Sequence, residues 1–256
     1  MTDSSQDHLD AQYPDRQFFV YRERFIAHLL KGVHTHLTRD GLSETRCLDI
    51  GSNTGRYTDL LAQSGLAVEG VDFSDDLLAT ARSRHPQHRF HQGDAQALPF
   101  LDNSFDGVIS LGLVQMVPDW AAAVRETVRV LKPGGVAVIE TNRRFPAWEY
   151  GLKHAMYCLT GSVDRDARAS VLNAHRLGPK APNGALRKFS PEDLLAVLET
   201  CGSIDVQMHL PRKHVLLHDF VFAVQVTKRD GASARCKPLP ACPRCRGGIA
   251  TLPEGS

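Results

Sequence analysis

Apolar positions along the chain switch between the three-to-four spacing of a helix and the short continuous runs of buried strands. Over 17–37 (QFFVYRERFIAHLLKGVHTHL) they fall at 18, 19, 25, 26, 29, 30, 33 and 37, which predicts an amphipathic N-terminal helix. Arg46–Ile50 (RCLDI) is a short apolar strand that breaks at Gly51, and 54–63 resumes helical spacing. The alternation continues with a strand at 66–72, a helix over Asp75–Arg84 and a strand at 88–92. A fourth strand at Phe105–Leu111 (FDGVISL) precedes a helix at 120–131 and a fifth strand at 136–141 (VAVIET). Strands that alternate with helices at this spacing predict βαβ units and a parallel sheet with its βα turns along one rim.

The regular pattern lapses over 142–188, a basic stretch punctuated by Gly and Pro that carries Trp148, Tyr150 and Tyr157. It is expected to form an insert after the fifth strand that covers a ligand. Ser190-Pro191-Glu192-Asp193 then starts a helix, with Ser as N-cap and Pro in the first turn, which stops at Gly202. Two final strands are expected at 204–210 and 220–227. From Asp230 the chain becomes rich in Gly, Ala, Pro and Cys. One domain over 1–230 and a flexible tail over 231–256 are therefore expected.

Three turns carry candidate chemistry. The first is Asp49-Ile-Gly51-Ser-Asn53-Thr-Gly55, between a strand and a helix, where positive φ and close backbone approach are needed and the helix N-terminus offers free N–H groups. A dinucleotide fingerprint would place Gly at 51, 53 and 56, but 53 is Asn and 56 is Arg, which argues against a nicotinamide or flavin. The second is Asp72, at the end of the second strand and 21 residues after Gly51, where a carboxylate can accept both hydroxyls of a ribose. Helix capping there falls better to Ser74. The third is Gly93-Asp94-Ala95, a carboxylate suited to an exocyclic amine, followed by Leu98-Pro99-Phe100. Leu131-Lys-Pro-Gly-Gly135 is read as a helix-ending turn that feeds the fifth strand.

Composition narrows the partners. Lys and Arg number 30 against 29 Asp and Glu, a net charge of +1, which counts against nucleic acid as the partner. No apolar run approaches the roughly 20 residues of a membrane span. Six cysteines, mostly scattered, fit reduced thiols in a cytoplasmic protein. Only Cys236, Cys242 and Cys245 cluster. CxxC can act as a zinc knuckle, but three ligands fall short of a closed site, so no metal is expected there.

The series LDIGSNTG, VDFSDDLLATAR, GDAQALPFLDNSFD and LKPGG resembles the class I S-adenosylmethionine-dependent methyltransferases, and most of all the small-molecule group that includes quinone-biosynthesis enzymes. The likeness covers about 45–141 and extends to the FSPEDL helix. It implies a Rossmann-like, doubly wound α/β fold with a seven-stranded sheet, an antiparallel last strand, an N-terminal helix and the insert after strand five. It also implies S-adenosylmethionine as cofactor and a small-molecule methyl acceptor, with methyl transfer to O, N or C. The cofactor set it implies is Asp49, Gly51, Asn53, Gly55, Asp72, Phe73, Asp94, Ala95 and Leu111. The loop at Gly51 faces the methionine part, Asp72 the ribose, and Asp94 and Ala95 the adenine.

Relatives often carry His after strand four, where this chain has Gln115-Met116, so a base from that position is absent. Candidates near the acceptor are Tyr13, Tyr21 and Arg22 around the first helix, and His154, Tyr157 and His175 in the insert. The basic pairs Arg143-Arg144, Arg187-Lys188 and Arg212-Lys213 are read as solvated faces or as contacts to an anionic acceptor. The rival readings are an RNA or tRNA-base methyltransferase and a non-catalytic S-adenosylmethionine-binding partner subunit.

Overall fold

The computed structural model describes residues 16–39, 45–142, 188–209, 221–229 and 249–250. Helix α1 (Arg16–Thr38) precedes β1 (Arg46–Ile50), α2 (Arg56–Ala62), β2 (Ala67–Asp72), α3 (Asp75–Arg84) and β3 (Arg89–Gln92). The chain continues through β4 (Phe105–Leu111), α4 (Trp120–Val130), β5 (Leu131–Asn142), α5 (Pro191–Leu198), β6 (Ile204–His209) and β7 (Val221–Lys228). These seven strands form one sheet in the order β3-β2-β1-β4-β5-β7-β6, and the two-residue β8 (Ile249–Ala250) pairs antiparallel with β6 at the edge. Strands β1 to β5 are mutually parallel, and β7 runs antiparallel between β5 and β6. This is the doubly wound sheet with an antiparallel last strand expected above.

Two apolar layers hold the sheet. On one face Leu48, Ile50, Val108, Ala137, Ile139 and Val224 pack with Val124 and Val128 of α4 and Leu194 and Leu198 of α5. On the other, Cys47, Val68, Ile109, Val136, Val138 and Ala223 pack with Phe25, Ile26, Leu29, Leu30, Val33 and Leu37 of α1. Those six positions are the apolar stripe of the predicted amphipathic helix. Strands covered on both faces must be apolar throughout, which is why β4, β5 and β7 read as continuous runs. Ser190 caps α5 in a reciprocal box, its Oγ accepting from Asp193 N at 3.3 Å and Asp193 Oδ2 accepting from Ser190 N at 2.7 Å.

The start of β5 differs from the expected helix-ending turn at LKPGG. Leu131 is already extended and fully buried, and it pairs with Phe105 before the register shifts to Gly107↔Val136. Burial of Leu131 brings the ladder forward, and the KPGG segment becomes a bulge inside the strand. The insert, apart from its first and last residues, and the tail other than Ile249 and Ala250 lie outside the described residues. So do Tyr13, His154, Tyr157, His175, Cys236, Cys242, Cys245, the basic pairs Arg143-Arg144 and Arg212-Lys213, and Arg187. Among the described residues no helix is long and apolar enough to cross a membrane.

His209 ends β6, 6% exposed, and among the described residues neither ring nitrogen has a hydrogen-bond partner. Burial, reinforced by His28, pushes its pKa down to about 4. Because the unfolded chain binds this proton more readily, the contribution is present above pH 6.5 and is lost as pH falls toward 4. We expect acid melts over that window to cost the native state about 2–3 kcal/mol through this group, at 1.36 kcal/mol per pKa unit. His209→Gln should flatten the pH dependence of Tm between 4 and 6.5, and an unchanged slope would assign the acid lability elsewhere.

Candidate functional site

The carboxyl ends of β1 to β5 share one rim. Strands β1 and β4 are neighbours there although their crossovers run in opposite directions, and such a reversal opens a crevice for ligands. The turn after β1 is shaped by three left-handed residues, Gly51 (φ 77), Asn53 (φ 51) and Gly55 (φ 82). A Cβ on Gly51 would lie 2.9 Å from Leu113 Cδ1, so the turn after β4 packs directly on the bare glycine. Asn53 departs from glycine at the middle position, yet its own Oδ1 accepts from Thr54 N at 2.7 Å. That local bond is how Asn tolerates the left-handed region.

Asp72 sits where the sequence places it, but it does more than face a cleft. Its Oδ2 accepts from Asn53 N at 2.9 Å and its Oδ1 from Ser74 N at 3.0 Å, so the carboxylate ties the β1 turn to the end of β2. Ser74 caps α3 through Leu77 N, as expected. A carboxylate has about four lone-pair positions, so two remain for a ligand's hydroxyls. Phe73, next in the chain, is 76% exposed on the rim.

The β3 turn joins the same group through Gly93 N, which donates to Asp72 O at 3.0 Å. Asp94 Oδ1 accepts from Gln96 N at 2.8 Å and from Gln96 Nε2 at 3.0 Å, and Ala95 beside it is buried. Leu111 ends β4, half-buried against the layer under α1.

Asp49 lies deeper than its partners in the predicted set. It is 2% exposed, beneath the turn, and Oδ2 accepts from the Thr58 hydroxyl at 2.7 Å. Burial pushes its pKa up to about 7; the Thr58 hydrogen bond opposes the rise and the charge of Asp72 adds to it. A carboxyl raised in the native state contributes stability below pH 3.8 that is lost as pH rises through 7. Asp49→Asn removes that loss while keeping the acceptor for Thr58. We expect the ligand-free variant to melt higher than wild type at pH 8 by the equivalent of roughly 1–3 kcal/mol, with little difference at pH 4. A lower melt at pH 8 would show that the ionised form is needed structurally.

A buried ion pair joins this rim to the N-terminal helix. Arg22, from α1, donates from Nε to Glu140 Oε1 at 2.9 Å and from Nη2 to Oε2 at 2.7 Å, with the two residues 6% and 1% exposed. Arg22, expected near the acceptor, is engaged in this pair, and its partner is the single acid in VAVIET, a residue type that a buried strand carries only when it is paired. Tyr21 is on α1, but its side chain is outside the described residues. Among the described residues no group of His, Cys, Asp and Glu could hold a metal ion.

Comparison with known proteins gives this rim a family. A family model described as a methyltransferase domain matches residues 48–139. The demethylmenaquinone methyltransferase of Roseiflexus castenholzii is 39% identical over 179 residues, covering 64% of this chain and 70% of that protein. The chain belongs to the class I S-adenosylmethionine-dependent methyltransferases. The demethylmenaquinone methyltransferase of Renibacterium salmoninarum is 45% identical over 95 residues, 37% of this chain and 40% of that protein. The chain thus spans about two-fifths of the length of the first curated relatives it matches. Two solved structures share the fold of this chain. They are the [4+2]-cyclase SpnF (TM-score 0.56, 18% identity, 80% of this chain and 82% of that one) and YcgJ from Bacillus subtilis (0.54, 22%, 80% and 99%).

Membership brings S-adenosylmethionine as the cofactor, and the residues present fit it. The Asp72 carboxylate keeps acceptor capacity, an exposed aromatic flanks it, and the turn from Gly51 to Gly55 holds three left-handed residues ahead of a helix N-terminus.

Proposed function

We propose that the protein transfers the methyl group of S-adenosylmethionine to a small-molecule acceptor, and that the acceptor is a prenylated naphthoquinol. The observation that carries the reading is the Asp72 carboxylate, fixed at the end of β2 by Asn53 N–H and Ser74 N–H with lone pairs left for a ribose. The acceptor class is supported by the demethylmenaquinone methyltransferases among the relatives.

In this reading Asp72 receives the ribose hydroxyls, and Asp94 with the Ala95 backbone meets the adenine. Phe73 and Leu111 wall the pocket, and the turn from Gly51 through Asn53 to Gly55 takes the methionine part. Asp49 lies under that turn as a second carboxyl close to a cationic ligand. When bound, the cofactor supplies a methyl group already activated by its sulfonium, so the chain's task is alignment rather than acid–base chemistry. The absence of a His at the Gln115 position is compatible with an acceptor that ionises readily. The balanced charge supports a small molecule over RNA. A cytoplasmic location belongs to the same reading, supported by scattered cysteines of which Cys47 and Cys201 are free thiols.

The test is incubation of the purified protein with methyl-labelled S-adenosylmethionine and a reduced prenyl-naphthoquinone lacking the ring methyl. Label in the naphthoquinone fraction is expected. Label in RNA, or binding of S-adenosylhomocysteine without transfer to any acceptor in a metabolite extract, would replace this reading with one of its rivals.

A further inference from the structure

We propose that Gln96 is a positioning residue that sets the specificity of the nucleoside pocket. Its carboxamide fixes the Asp94 carboxylate so that one lone pair is offered to an exocyclic amine and a carbonyl at the same place is refused. This role presupposes the adenine at Asp94, as proposed above.

A carboxylate turns readily about its last bond, because that torsion is broad. Asp94 is denied this freedom. Gln96 N donates to Asp94 Oδ1 at 2.8 Å, and Gln96 Nε2 reaches both Oδ1 at 3.0 Å and Oδ2 at 3.1 Å. The other end of the same carboxamide is held as well. Gln96 Oε1 accepts from the backbone N–H of Asp119, the N-cap of α4, at 2.7 Å. A backbone N–H can only donate and an ionised carboxylate can only accept, so the amide has one orientation.

The lone pairs then decide what Asp94 can bind. Each carboxylate oxygen has about two. Oδ1 receives two donors and Oδ2 one, and among the described residues all three come from Gln96. One acceptor position of fixed direction remains on a side chain that is half-buried at the rim. It suits the N–H of a ring-bound amine. A ring carbonyl there would set two acceptors against each other with no donor between them.

Fastening the loop is not what Gln96 is needed for. Leu98 N donates to Glu126 Oε2 at 2.7 Å, Arg129 Nη1 to Phe100 O at 2.9 Å and Arg129 Nη2 to Leu98 O at 3.2 Å. Two charged side chains of α4 thus hold the connection from β3 to β4 by themselves. The α4 cap also stands without Gln96, since Asp119 Oδ1 accepts from Ala122 N at 2.9 Å.

S-inosylhomocysteine carries a carbonyl in place of the exocyclic amine of S-adenosylhomocysteine. Calorimetric titration of both into wild type, Gln96→Met, Gln96→Ala and Asp94→Asn, with a thermal melt of each, reads the ratio of the two affinities. Gln96→Met keeps the volume and removes both hydrogen-bonding ends, and Gln96→Ala serves if the longer side chain crowds the turn. Wild type is expected to prefer the adenosyl compound at least about tenfold, and this ratio is expected to fall at least about threefold in each Gln96 variant. A staple between loop and helix would change the melt, or both affinities together, and leave the ratio untouched. A wild-type ratio in a folded Gln96 variant therefore overturns the proposal. Wild type without preference, or Asp94→Asn with the wild-type ratio, contradicts the placement of the adenine at Asp94, and the Gln96 role falls with it.

Discussion

Arg22→Ala will destabilise the protein by about 3–5 kcal/mol, because it leaves the Glu140 carboxylate buried at 1% exposure with no counter-charge. The pair is bidentate, 118 residues apart in sequence, and pins the N-terminal half of α1 to the end of β5. Tyr57 extends the network, accepting from Arg22 Nη1 at 3.5 Å and donating to Glu23 Oε1 at 2.5 Å. Burial pushes the Tyr57 hydroxyl well above the usual phenol range, so it stays a donor at every working pH. Urea melts of Arg22→Ala, Glu140→Ala and the apolar double variant Arg22→Met/Glu140→Leu separate pairing from burial. The double variant should fall within about 1 kcal/mol of wild type, since an apolar replacement avoids the desolvation cost of both charges. A single variant that costs less than about 1 kcal/mol would show that water reaches the pair.

Asp72→Ala is expected to do two kinds of damage at once. Loss of charge-assisted bonds to a ribose, each worth about 1.5–3 kcal/mol, should lower cofactor affinity at least about tenfold. The same change releases Asn53 N–H and Ser74 N–H, so the ligand-free protein should also melt lower, by the equivalent of roughly 1–2 kcal/mol. Asp72→Asn keeps an acceptor oxygen and should be milder on both counts. A variant with a lowered melt and unchanged affinity would leave Asp72 as a brace for the turn and nothing more.

Much of this was legible in the sequence because single physical requirements dominate there. The stripe at 25, 26, 29, 30, 33 and 37 had only one helical solution, and the apolar runs of β1, β4 and β5 could be strands only if both faces were covered. The Ser190 box announced its own helix start. The positive φ at Gly51, Asn53 and Gly55 followed from residue type. What stayed hidden depended on contacts across the chain. Arg22 and Glu140 look like an exposed base and an odd acid until the fold stacks α1 on β5. The bulge at the start of β5 arises because Leu131 fills a core position beside Phe105, which local turn chemistry could not reveal.

The central claim is that the rim built by the β1 turn, Asp72 and Asp94 binds S-adenosylmethionine. Calorimetric titration of S-adenosylhomocysteine into wild type, Asp72→Asn and Asp72→Ala at pH 8, with a thermal melt of each, tests it most directly. One site per chain is expected in wild type, with affinity falling in the order wild type, Asn, Ala, and a last step of at least about tenfold. No binding to folded wild-type protein, or equal affinity in all three, would contradict it.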